Sequence, residues 1–301
     1  MSLHRLVGIT MGVPDVAATR EFYRQFGLRP SGEGYLRTQD GGPQLRVTHS
    51  DRRRLLALAV GVDDEDDLDR IGHQLRGLGV ETTRAPGELR ATDPGTAIGV
   101  IVRIADRIPD APAPAAGPRP HNRRSPAVER DHDVRPRKLG HVVVGSVDQE
   151  ASQRFFMRGV GFKLSDSIRG EASFLRCSTD HHNLLVAKAP VQYLHHTAWE
   201  VADVDEIGRG ATAMLESHPE RHAWGLGRHH IGSNMFWYLR DPAGNFSEYY
   251  SDLDCIVEGV EWTPEVFEGS QGLYNWGPRP PGDWMLPEDI AAGMMGLHSE
   301  R

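Results

Sequence analysis

The stretch Gly140-His141-Val142-Val143, running through Val147-Asp148 into Phe155-Phe156 and then Gly161-Phe162, decides the fold because it occurs twice. Its other copy is Gly8-Ile9-Thr10-Met11, followed by Pro14-Asp15, Phe22-Tyr23 and Gly27-Leu28. Each copy reads as a strand, a helix opened by an acidic residue that suits the positive end of the helix dipole, and a glycine at the helix exit. Working outward, a second unit is also shared. Ala57-Leu58-Ala59-Val60-Gly61-Val62 precedes a helix around Asp66–Leu78, and His196-Thr197-Ala198-Trp199-Glu200-Val201 precedes one around Val204–Leu215. Downstream lie the turns Asp93-Pro94-Gly95 and Asp241-Pro242-Ala243-Gly244, each leading into a strand. Strand, helix and several strands therefore recur four times, which implies an α+β architecture with paired units around curved sheets.

Between 109 and 137 the pattern lapses: seven of the chain's 20 prolines fall in these 29 residues. Such a stretch buries too little apolar surface to offset its ordering entropy and reads as a Pro/Arg-rich linker. The expected organisation is an N-terminal domain over 1–108, a C-terminal domain over 138–252 and a tail over 253–301.

At 301 residues with 39% hydrophobic and 25% charged residues, the composition is that of a globular protein with a substantial core. A net charge of -8 offers no global positive field for nucleic acid or an anionic membrane. Two cysteines, Cys177 and Cys255, form no disulfide framework, and no apolar run approaches a membrane span, so a cytoplasmic location is expected. The acidic run Asp63–Asp67 reads as a helix N-terminus rather than a metal site. The outlying count is 15 histidines.

The repeat supplies an internal control for those histidines. Where the C-terminal copy carries His141, His196 and Glu248, the N-terminal copy is read as carrying Ile9, Ala57 and Gly99 or Val100. Small or apolar residues give way to two imidazoles and a carboxylate, the set that leaves three adjacent positions open on an octahedral divalent metal, as in non-haem Fe(II) sites. The N-terminal domain is thus expected to lack metal ligands.

The motifs Leu139-Gly140-His141-Val142, Leu194-His195-His196-Thr197-Ala198, and Tyr238-Leu239-Arg240-Asp241-Pro242-Ala243-Gly244 ending in Glu248-Tyr249-Tyr250 resemble the type I extradiol ring-cleavage dioxygenases of the vicinal oxygen chelate superfamily. That resemblance implies four βαβββ modules, two per domain, with Fe(II) held by His141, His196 and Glu248 and with Mn(II) an alternative occupant. It also implies further active-site residues by spacing. His182 stands fourteen before His196, His229 nine before Tyr238, and Tyr238 ten before Glu248. His181 competes with His182, which is favoured by the residues that follow it, and His230 shadows His229. On this resemblance His182 is the acid/base, and His229 and Tyr238 hydrogen-bond the substrate oxygens. The expected reaction is ring opening of a catecholic substrate by O₂ beside its vicinal hydroxyls, in a homo-oligomer with no nucleic-acid or membrane partner. The competing readings are a metal-dependent isomerase or lyase of the same fold, and a non-catalytic binder of aromatic metabolites.

Trp199, Phe236, Trp237 and Phe246 are candidate pocket neighbours whose ordinary role is sheet core. The tail, with Trp262, Trp276 and Trp284, is expected to pack on the surface or at a subunit contact, with a lid over the site as the functional alternative.

Overall fold

The computed structural model describes residues 3–109, 121–122, 124, 130–284 and 290. Most of the expected linker and the end of the tail lie outside these residues. The described chain forms two mixed sheets. In the first, β1 (Arg5–Val13), β2 (Arg29–Pro30), β3 (Tyr35–Arg37), β4 (Pro43–His49), β5 (Arg54–Val62), β6 (Thr83–Ala85), β7 (Glu88–Thr92) and β8 (Gly99–Ile104) lie in the order β2-β3-β4-β1-β5-β8-β7-β6. The second comprises β9 (Lys138–Ser146), β10 (Lys163–Ile168), β11 (Ala172–Arg176), β12 (Leu184–Lys188), β13 (Tyr193–Glu200), β14 (His222–Arg228), β15 (Met235–Arg240), β16 (Phe246–Ser251) and β17 (Val266–Phe267). Their order is β14-β15-β16-β13-β9-β12-β11-β10-β17, so a short strand of the tail extends this sheet.

The two halves share one topology. An antiparallel pair lies at each centre, β1 with β5 and β9 with β13, and each central strand takes a parallel partner, β4, β8, β12 or β16. The helices α1 (Val16–Gln25), α2 (Glu65–Gly77), α3 (Gln149–Arg154) and α4 (Val204–Leu215) each follow the first strand of a module. All four βαβββ modules are therefore present. Every helix is opened in the same way: Asp15, Asp64, Asp148 and Asp203 accept a hydrogen bond from the backbone N–H three residues on, at 2.9, 2.9, 2.9 and 3.1 Å. This satisfies one of the orphan donors of each first turn and fixes where each chain leaves its strand. Gly27 and Gly161 follow helical segments of the first and third modules at φ 101° and 102°, a left-handed conformation open to glycine.

The shared caps and bulges also set the correspondence between copies. Asp148 matches Asp15, and the β9–β13 register shifts match those of β1–β5, which pairs His141 with Gly8 and His196 with Ala57. Glu248 pairs with Ala198 as Ile101 pairs with Ala59, so its counterpart is Ile101. The expected partners Ile9 and Val100 are each displaced by one residue, because the turn after Asp93 is one residue longer than the turn after Asp241 and the bulge at Gly140 is invisible to residue type alone. The direction of the change stands: glycine, alanine and isoleucine occupy the three N-terminal positions.

The sheets join back to back through one hydrophobic core. From α1, the Tyr23 hydroxyl reaches Ser247 Oγ at 2.8 Å and Thr197 Oγ1 at 3.2 Å. Just past the helix, Phe26 stacks on Tyr249 with centroids 3.7 Å apart, and Tyr249 donates to the Phe26 carbonyl at 2.8 Å. Tyr23 is fully buried, so its removal leaves the Ser247 hydroxyl without this partner and away from water. Tyr23→Phe should lower the unfolding free energy by about 1–3 kcal/mol in urea titration, and an unchanged midpoint and slope would show that this contact is energetically idle.

Candidate metal centre

The cup of the second sheet is built from one cross-strand row. His141 on β9 pairs with Ala198 on β13, and Ala198 pairs with Glu248 on β16. Residues opposed in this way share a face of a sheet. His196, two residues before Ala198, shares that face by the period of the strand. The methyl of Ala198 leaves the floor between them low enough for the three longer side chains to converge. His141 Nε2 lies 3.1 Å and His196 Nε2 3.5 Å from the same Glu248 oxygen, Oε2. One ligand atom from each of the three residues lies within 4.8 Å of the others, and all three residues are buried. Two donors at right angles on a metal with bonds of about 2.1 Å stand about 3 Å apart, so the spacing suits one cation.

Hydrogen-bond direction explains why His196 faces this point as a bare nitrogen. The Trp284 carbonyl can only accept, so His195 Nε2 donates to it across 2.6 Å. Burial pulls the pKa of His195 down to about 4, leaving its Nδ1 unprotonated at neutral pH. That Nδ1 therefore accepts from His196 Nδ1 at 2.7 Å. Burial and neighbouring imidazoles hold His196 well below the ordinary histidine range as well, so its Nε2 carries a lone pair. This nitrogen is buried without a hydrogen-bond partner, the state a metal ligand requires. The residues present fit a divalent cation.

A similar chain of imidazoles stands opposite. His181 Nε2 meets Asp166 Oδ2 at 3.0 Å, and the two Nδ1 atoms of His181 and His182 lie 3.1 Å apart. His182 packs against His141 with centroids 4.3 Å apart, and burial lowers its pKa well below the ordinary value. His229 Nδ1 donates to the Leu273 carbonyl, and its Nε2 meets the Tyr238 hydroxyl at 2.9 Å. Burial raises the Tyr238 phenol well above its ordinary value and lowers His229. Beneath them, Asn234 Nδ2 donates to Glu248 Oε1 at 2.9 Å, which leaves Oε2 for the imidazoles.

A cavity of about 80 Å³ opens over this cluster. His182, His229 and Tyr238 line it beside His141 and His196, whereas His181 lies behind His182 and His230 turns to Phe267 at 5.4 Å. Its lining includes Gly272, Leu273 and Trp284, so the tail contributes to the cavity wall. Of the candidate aromatics, none lines it; Trp199, Phe236 and Phe246 are core, Trp237 meets His222 edge-on, and Phe174 and Trp284 hold the cavity positions. Asp64 caps α2, Asp63 pairs with Arg107 and Asp67 with Arg70, so the acidic run has structural partners. Sequence reading passed over Ala198, Asn234, His195 and Asp166. The adjacent His195-His196 pair was a visible signal; Asn234 gave none, because its role depends on the β15–β16 register.

Residues 138–249 match the model of the Glyoxalase/Bleomycin resistance protein/Dioxygenase superfamily. The chain is 32% identical over 295 residues to Metapyrocatechase 2 of Cupriavidus necator, covering 93% of this chain and 91% of that one. It is 26% identical over 307 residues to the iron-dependent extradiol dioxygenase of Rhodococcus jostii, covering 92% and 97%. The Mn(II)-bound glyoxalase of Novosphingobium aromaticivorans shares the fold, with a TM-score of 0.74 at 24% identity over 96% of this chain and 99% of that one. The repeated modules, the convergent His-His-Glu set and a relative matched along nearly the whole of both chains agree: the chain belongs to the type I extradiol dioxygenases of this superfamily.

Proposed function

We propose that the protein opens the ring of a catechol beside its vicinal hydroxyls with O₂, using Fe(II) held by His141, His196 and Glu248, with Mn(II) an alternative occupant of the same ligands. The observation that carries this reading is the lone pair of His196 Nε2, buried without a partner and facing the Glu248 oxygen that His141 also approaches. A bound divalent iron supplies adjacent open positions for both reactants and a path for electrons between them.

The remaining chemistry falls to the side chains of the cavity. His182, neutral and with its Nδ1 directed to His181, offers Nε2 as a base for a catechol hydroxyl proton and returns that proton later as an acid. With His229 Nδ1 donating to the Leu273 carbonyl, the one donor between His229 Nε2 and Tyr238 is the phenolic O–H; His229 positions that hydroxyl, which turns to a substrate oxygen and holds its developing charge. Trp284 and Leu273 keep bulk water from the reacting atoms. The balance is one catechol and one O₂ to one open-chain product carrying both oxygen atoms. An isomerase or lyase of this fold would consume no O₂ and would want further ligands or a different base, and in a passive binder the triad would be vestigial.

The same reading places the protein in the cytoplasm, in keeping with two cysteines, Cys177 and Cys255, that form no disulfide. Among the described residues no helix is long and apolar enough to cross a membrane. A homo-oligomer is proposed, with exposed Val257, Val260 and Val266 of the tail available as apolar surface.

Three variants test the division of roles. His196→Ala should lose bound metal in elemental analysis, whereas His182→Ala should retain it and lose about 10²–10⁴-fold in turnover at an oxygen electrode. Equal metal loss in both would refute the assignment. Asn234→Ala should weaken metal binding about 10–100-fold in competition with a chelator; wild-type affinity would remove Asn234 from the account.

A further inference from the structure

The cavity divides into two chemically unlike halves. Imidazoles and the Tyr238 hydroxyl occupy the metal side, while Ile168, Ala172, Phe174, Leu185 and Ile231 form the opposite wall. That wall belongs to a separate apolar cluster, backed by Ala187 and by Phe267 of the tail. Among the described lining residues there is no Lys, Arg, Asp or Glu.

We infer that this site selects a catechol bearing a small apolar substituent, which lies against Ile168, Ala172, Phe174, Leu185 and Ile231, and rejects carboxylated catechols. The inference rests on the extradiol reading and deepens it. With the vicinal oxygens turned to the metal side, the far edge of the ring meets the apolar wall. A methyl or ethyl group there leaves water for hydrocarbon, which favours binding. A carboxylate in the same place loses its hydration and finds no cation, an expensive form of burial.

The test uses the full chain loaded anaerobically with Fe(II). Binding is followed without oxygen through the fluorescence of tryptophans, of which Trp284 lines the cavity, and turnover is followed separately by O₂ uptake. The probes are catechol, 3- and 4-methylcatechol, and 2,3- and 3,4-dihydroxybenzoate. The expected result is a kcat/KM for at least one methylcatechol equal to or above that of catechol, and at least 100-fold lower values for the benzoates, with anaerobic affinities in the same order. Benzoate values within tenfold of the methylcatechols would overturn the inference while leaving the extradiol reading intact. Binding in the expected order with no O₂ uptake for any probe would overturn the extradiol reading and support the selectivity of the cavity. Leu185→Lys should raise the benzoate-to-methylcatechol ratio at least tenfold; an unchanged ratio in a variant that still turns over catechol would count against the wall as the selecting surface.

Discussion

The structure depends on a carboxyl group taken wholly out of water. Glu248 has no exposed surface; one of its oxygens is hydrogen-bonded to His141 Nε2 and the other accepts from Asn234, while the His196 Nε2 lone pair faces the first at 3.5 Å. A group of this kind is tolerated in an interior when each oxygen has a partner in good geometry. That requirement reaches outward into the fold. The β9–β13–β16 register must place His141, Ala198 and Glu248 in one row, and the residue between the ligands must be small. The nitrogen facing Glu248 must also be a lone pair, which the His195–Trp284 contact secures. The tail thus serves the metal side of the site through a backbone carbonyl as well as lining the cavity.

The N-terminal half has the same topology and none of this chemistry. At Gly8, the counterpart of His141, a Cβ would stand 2.8 Å from the Gln44 carbonyl oxygen, so the position excludes any side chain. The first half is committed to support. Its α1 delivers Tyr23 to the hydroxyls of Thr197 and Ser247, each next in sequence to a proposed ligand, and Phe26 stacks on Tyr249, on the other side of Glu248. Two strands that carry proposed ligands on their inner face are gripped on their outer face by the other half of the chain. The first copy of the repeat thus holds, by packing, the geometry of the second.

Much of this arrangement was legible because it repeats. Asp caps, glycine exits and Asp-Pro turns recur at comparable spacings, and a residue type that breaks the repeat stands out against its copy. His141, His196 and Glu248 were legible for that reason, as were His182, His229 and Tyr238 once the resemblance supplied their spacing. What depends on register was not. The one-residue displacement from Ile9 to Gly8 arises at a bulge, and Asn234 matters only because β15 runs beside β16. The choice between His181 and His182 needed the direction of each ring: one faces Asp166, the other the cavity. The chemistry of the wall, from Ile168 to Ile231, is spread over strands and a loop that sequence alone does not bring together.

The most direct test of the account is the stoichiometry of oxygen consumption by the Fe(II)-loaded protein with a limiting catechol, with hydrogen peroxide and quinone assayed alongside. The account predicts one O₂ consumed per catechol, a ring-opened product containing both atoms and no peroxide. Oxygen uptake matched by peroxide and quinone, or catechol bound without any oxygen consumed, would contradict it.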